Sequence, residues 1–234
     1  MSKRVKFFIS HLTISALIAC CIISVIFLLW YPGALASAEG VTYIILMLII
    51  IDVIIGPALG FLVYKENKKT LKIDLGVIII LQITALSYGV YNIAQSRPIW
   101  IVQAGSIFQV VRLNMIDVDS QERAEAVYQE HSLLKPQWVA VNEKIANARL
   151  FAEPTIMPET YTNMKAAIVR ISTRAKSIDQ LQNFNQLDDV IQIIDKYPSA
   201  SGWLPLRAAD QDKVVLIDTN KGEVIKIVDL RPWN

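Results

Sequence analysis

Cysteine is nearly absent from this chain. Of 234 residues only Cys20 and Cys21 carry a thiol, and both lie inside the first apolar stretch. Neighbours on a helix point in different directions, so the two are not expected to pair. Everything after them can stand in an oxidising compartment without a disulfide framework. Histidine is equally scarce, at positions 11 and 131, which leaves no zinc site of usual spacing. There is no Gly-x-Ser-x-Gly elbow, no Gly-x-Gly-x-x-Gly turn and no phosphate loop. An intramembrane aspartyl protease needs two acids that meet, and Asp52 and Asp74 are badly matched in depth. Asp188, Asp189, Asp210 and Asp212 sit in amphipathic or loop settings typical of a solvated surface. These absences leave no support for an enzyme, a metal or a cofactor.

An excess of one charge is also missing where it would matter. Residues 1–96 carry seven Lys or Arg and four acids, whereas the remainder carries sixteen basic and seventeen acidic residues. The second part is close to neutral and has no basic face for nucleic acid.

What the chain has in abundance is hydrocarbon, concentrated before residue 96. A spanning helix needs about 20 apolar residues to cross roughly 30 Å of bilayer. Residues 7–30, 41–64 and 75–95 each qualify. Lys3, Arg4 and Lys6 precede the first, and Lys65, Lys68, Lys69 and Lys72 fill the loop 65–74 between the second and third. The loop 31–40 has neither Lys nor Arg. The excess of Lys and Arg on cytoplasmic loops then predicts a cytoplasmic N-terminus (residues 1–6), a loop 31–40 on the far side and a domain 97–234 on that same far side. Trp30, Tyr31, Tyr64, Tyr88, Tyr91 and Trp100 fall near the expected interfaces. Leu17-Ile18-Ala19-Cys20 is a loose lipoprotein box, but the apolar run continues past it. Ala36-Ser37-Ala38 has the small-x-small form of a signal-peptidase site, behind an apolar run longer than a signal peptide's.

One acid interrupts the second segment. A carboxylate at mid-membrane costs about 2.5–3.5 kcal/mol on insertion scales, so Asp52 is expected to face protein or water. Gly56 and Pro57 follow. Proline cannot donate to the carbonyl of Val53, which predicts a kink with a free carbonyl beside an acid. The third segment offers Gln82, Thr84 and Ser87 at nearby depths. Two readings stand: a polar clasp between the second and third helices, or a docking point for a partner's membrane helix built on Asp52, Gly56, Pro57 and Gln82. Gly56 and Gly60 also form a Gly-x-x-x-Gly pattern, suited to close packing on the first helix, the third or another chain. His11 reads as a snorkelling or hydrogen-bonding residue near the cytoplasmic end. The lysine loop sets topology and can contact anionic lipid.

Beyond Pro98 the pattern changes. Residues 99–102 and 108–118 read as strands. Asp119 with Glu122 reads as a capping box opening a helix to about residue 131. Residues 138–141 suit a short strand or a helix start, 159–170 a helix, and 178–197 a longer helix. Pro198, Gly202 and Pro205 suggest a loop. Residues 213–218 and 223–230 flank Thr219-Asn220-Lys221-Gly222 as a hairpin. The expected fold is a membrane three-helix bundle followed by a small α+β domain with antiparallel strands.

The motif order resembles a family. Trp30-Tyr31-Pro32-Gly33 comes first, then Asp52-Val53-x-x-Gly56-Pro57, then Lys68-Lys69-x-Leu71-Lys72-x-Asp74-Leu75. Gln82-x-x-Ala85-Leu86-x-Tyr88-Gly89 and Arg97-Pro98 follow. Val110-Val111-Arg112, Gly202-Trp203-Leu204-Pro205-Leu206 and Leu230-Arg231-Pro232-Trp233 complete the series. Together they resemble the type IV pilin accessory proteins of the TfpX/TfpZ type, weakly over residues 120–200. The resemblance implies a multi-pass protein of the bacterial inner membrane whose C-terminal domain is periplasmic. It implies partnership with a major type IV pilin and other pilus-assembly components, no reaction and no cofactor. The rival expectation is an envelope sensor or scaffold whose outer domain binds another protein or a small ligand.

Overall fold

A computed structural model describes residues 1–149 and 153–234. They form two compact units, one of Met1–Leu28 and Val41–Gln95, the other of Leu29–Gly40 and Ser96–Asn234.

The first unit is helical. Helices α1 (Lys3–Trp30), α2 (Val41–Val63) and α3 (Leu71–Gln95) have 28, 23 and 25 residues and are long and apolar enough to cross a membrane. At about 1.5 Å per residue each exceeds the roughly 30 Å of bilayer hydrocarbon. Leu46, Met47, Ile80 and Leu81 lie more than half exposed on their outer faces. Helices α1 and α3 each pack on α2. The Gly-x-x-x-Gly pair serves both. A methyl at Gly60 would come to 3.0 Å of Phe7 on α1, and one at Gly56 would overlap the Gln82 amide on α3. Arg4 donates from Nε to the Phe61 carbonyl at 2.6 Å and lies over the Phe61 ring. A cation on the last turn of α2 suits the negative end of that helix. It brings Lys3, Arg4 and Lys6 to the end of the unit that also carries Lys65, Lys68, Lys69 and Lys72. Lys68 pairs with Asp74 at 2.6 Å.

The second unit is built on one curled, mixed sheet of seven strands, in the order β4-β3-β1-β2-β5-β6-β7. Strands β1 (Pro98–Ala104) and β2 (Ile107–Arg112) form a tight hairpin in which Gly105 takes φ +58°. β3 (Gln137–Val141) lies parallel to β1, and β5 (Gly202–Arg207) parallel to β2. β4 (Tyr161–Thr162) closes one edge antiparallel to β3. β6 (Lys213–Asp218) and β7 (Glu223–Val228) extend the other as a hairpin. Short helices α4 (Glu143–Arg149), α5 (Ile168–Arg174) and α6 (Leu187–Lys196) decorate it. One apolar cluster gathers Trp100, Tyr128 and Tyr161 edge-to-face, with ring centroids 5.6–6.2 Å apart. Such geometry adds about 0.5–1.5 kcal/mol per pair beyond burial. A second cluster surrounds Trp203, whose indole donates to the Ser177 carbonyl at 2.9 Å.

Several local expectations are corrected. The sheet is mixed and not purely antiparallel. The strand expected over 108–118 stops at Arg112. The helix expected to run to about residue 131 is two short pieces, Val118–Glu122 and Ala126–Gln129, and its cap is Asp117, which accepts from Ser120 N at 2.7 Å. Residues 159–170 hold β4 between 3-10 turns instead of one helix. The apolar spacing over 178–197 is real, but the helix is broken at Asn185, whose amide donates to the carbonyls of Leu181 and Arg231. Residues 202–207 form an inner strand, not a loop. Pro205 is tolerated there because β2 pairs only with Leu206 and Arg207, so no donor is needed from residue 205 on that side. Trp100 and Tyr31 are buried in the second unit and not part of an interfacial belt.

The largest surprise is the segment 31–40, expected as a free connecting loop. Tyr31, Leu35, Ala36 and Ala38 are buried in the second unit. The Ala38 carbonyl accepts from Asp210 N and Gln211 N at 2.9 and 3.0 Å. Gly40 turns at φ +69° against Asp210. A cut after Ala38 would sever a strap built into this unit.

Candidate functional site

The four residues singled out in the first unit meet, and the backbone explains how. Residues Ile50–Ile55 widen into π-helical geometry. In an α-helix Gly56 N–H would donate to the Asp52 carbonyl. Here it donates one residue further back, to Ile51 O. Asp52 O would next look to residue 57, but Pro57 has no N–H. The Asp52 carbonyl is therefore freed, and Gln82 Nε2 of α3 donates to it at 3.0 Å. Gly56 has no side chain to block that approach. Single-turn π widenings recur at functional sites.

The clasp uses the backbone of Asp52 and leaves its carboxylate over. Asp52 is 6% exposed, and neither carboxylate oxygen has a hydrogen-bond partner. Asp52, Gln82 and His11 line a cleft of about 260 Å³ between α1 and α3, walled by Phe7, Ile14, Ile18, Ile79 and Ile83. Ser10 and Ser15 also border it. The site is an apolar groove with the two unmatched Asp52 carboxylate oxygens in its floor. It can take a hydrogen-bond donor carried on an apolar body.

Thr84 and Ser87 are exposed and take no part. The residue that sequence reasoning undervalued is His11. Its signal was the spacing of Phe7, His11, Ile14, Ser15 and Ile18 on one helical face, which places it opposite Asp52 and not merely at an end.

The second unit has its own concavity, about 640 Å³, bordered by Leu35, Ile101, Lys135, Trp138, Ile168 and the edge strand β7. Elsewhere in this unit Glu39 is buried, accepts from Ala209 N at 3.3 Å and lies 3.8 Å from Arg112. Burial raises its carboxyl above the usual glutamate range, partly opposed by the Ala209 N–H and by Arg112. Tyr31 is raised likewise, by burial first and then by Glu39. Among the described residues no cluster of His, Cys, Asp and Glu could hold a metal ion.

The class defined so far is a membrane-type protein: three long apolar helices with an acid in their interior, joined to a mixed-sheet domain. It resembles three curated proteins of Dichelobacter nodosus. A fimbrial assembly protein of serogroups C1 and C2 is 35% identical over 97 residues, 41% of this chain and 71% of that one. Those of serogroup I (35% over 97 residues) and serogroup E1 (33% over 94) are matched over 36% and 37% of their lengths. This chain belongs to the family of these fimbrial assembly proteins. It spans little more than a third of the serogroup I and E1 relatives. No family model matches it, and no solved structure does.

Proposed function

We propose that the chain is a non-enzymatic accessory factor of type IV pilus assembly, of the TfpX/TfpZ type, that holds a major pilin before polymerisation. In this reading it crosses the bacterial inner membrane three times. Residues 1–6 and 65–74 face the cytoplasm, and residues 31–40 and 97–234 lie in the periplasm. The match to proteins named for fimbrial assembly carries the assembly role. The Asp52 cleft supports the mode: a pilin before assembly is one apolar helix with an outer head, and an apolar groove with unmatched acceptors suits a helix that brings a donor. The outer domain touches the pilin head.

The test is crosslinking in cells. A photoreactive residue at Ile14 or Ile83, both on the cleft wall, should capture the pilin. Asp52→Asn should weaken capture with little change of shape. If Asp52→Leu inserts, folds and leaves surface piliation normal, the docking mode is wrong. A second reading, an envelope sensor or scaffold, is favoured by the cleft beside β7 in the outer domain. Recovery of a non-pilin envelope protein in place of pilin would select it.

A further inference from the structure

The second unit carries two neighbouring leucines in the open. Leu133 and Leu134 are 71% and 59% exposed. Two adjacent leucines that project together present an apolar knob suited to an apolar neighbour. They are not on a slack loop. Ser132 Oγ accepts from Leu134 N at 3.1 Å and Lys135 N at 3.3 Å, and Ser132 N donates to Gln137 Oε1 at 3.0 Å. The turn is held so that both side chains project.

Where it is held identifies the neighbour. The indole of Trp30 donates from Nε1 to the Leu133 carbonyl at 3.1 Å. Trp30 belongs to this same second unit and is also the residue on which the apolar run of α1 ends. Tryptophan at the end of a spanning helix sits at headgroup depth, with its ring in the boundary layer. The Arg97 guanidinium lies 5.8 Å from the centroid of the same ring, and Lys135 beside the leucines is exposed. Glu130 is the one acid between residues 130 and 136. Projecting leucines, an interfacial tryptophan and a flanking exposed lysine form the composition of a segment that rests in a bilayer surface.

We propose that the turn of residues 132–135 inserts its two leucines into the lipid headgroup layer at the level of Trp30 and so fixes the second unit against the membrane. The contact rests on the membrane-spanning reading of the helices and is independent of pilin binding.

The experiment uses the full chain in vesicles of phosphatidylethanolamine and phosphatidylglycerol, with Cys20→Ala and Cys21→Ala as background. Nitroxide labels are placed one at a time through Leu133→Cys, Leu134→Cys, Val169→Cys and Ile80→Cys. Collision with oxygen, which favours lipid, is compared with collision with a water-soluble nickel chelate. Val169 on α5 is 75% exposed and Ile80 on α3 64% exposed, so they stand for water and hydrocarbon. Labels at 133 and 134 should favour oxygen severalfold over the label at 169. If 80 reads as lipid while 133 and 134 read as water, the proposal is overturned and the membrane reading stands. Shielding of 133 and 134 from both reagents would mean a protein partner and would overturn it too. A water-like reading at 80 would overturn the membrane reading and the proposal together.

Discussion

Gly56 and Gln82 should be energetically coupled, with a sign and size that the local geometry sets. A methyl at Gly56 would overlap the Gln82 amide, so Gly56→Ala must push that side chain off the Asp52 carbonyl, 3.0 Å away. Overpacking of this kind costs about 1–3 kcal/mol. An interhelical hydrogen bond between membrane helices contributes about 0.6–1.7 kcal/mol. The single substitution should therefore destabilise the helical unit by about 2–4 kcal/mol. Gln82→Ala alone should cost about 1–2 kcal/mol, because it leaves the carbonyl unmatched. In the Gln82→Ala background the three atoms nearest an added methyl are gone. There Gly56→Ala should be neutral or stabilising by up to about 1 kcal/mol, the usual gain of alanine over glycine in a helix. The double-mutant cycle should thus show a coupling of about 2–5 kcal/mol. Reversible unfolding of the full chain in mixed micelles, followed by far-UV circular dichroism, measures it. An equal cost for Gly56→Ala in both backgrounds would refute the clasp, since only the Gln82 side chain separates the two cases.

Two further outcomes test the second unit. Burial holds the Glu39 carboxyl above its ordinary range, so the folded state keeps a proton that the unfolded chain has released, and stability should fall as pH rises from the ordinary glutamate range through the raised value. Glu39→Gln should flatten that fall in thermal melts; an unchanged slope would mean that another group sets it. Lys213 is almost wholly buried and pairs with Asp229 at 2.5 Å, but Asp229 is largely exposed and Gln211 remains as a second acceptor. Asp229→Ala should therefore cost only about 1–2 kcal/mol, below the 3–5 typical of a fully buried pair, and Lys213→Met should be close to neutral in chemical denaturation.

Legibility differed between the two parts of the chain for physical reasons. In residues 1–96 the elements need no neighbour to be recognised, since long uninterrupted apolar runs have one solution, a helix whose backbone bonds are all internal. The four candidate residues were visible for the same reason: an acid, a glycine, a proline and an amide stand out in hydrocarbon. Which carbonyl they would satisfy was not visible. That depended on one extra residue in a turn of α2, which freed the Asp52 carbonyl for Gln82. In the second unit the β6–β7 hairpin announced itself through Lys221-Gly222 between two β-branched runs. The helices there were overextended because apolar residues at intervals of three and four persist across Asn185, where a tertiary hydrogen bond from the far C-terminal segment ends the helix.

The amino-acid order alone determined three apolar helices, the placing of basic residues at their ends, a neutral domain after residue 96, and a lone acid within the second helix. Each of these follows from local composition and from period. The sheet order β4-β3-β1-β2-β5-β6-β7, the burial of Tyr31, Leu35, Ala36 and Ala38 in the second unit, and the division of Asp52 into a clasped carbonyl and an unmatched carboxylate belong to the tertiary structure. They join residues far apart in the chain, such as Ala38 with Asp210 and Asp52 with Gln82, and no periodicity within either segment encodes its partner.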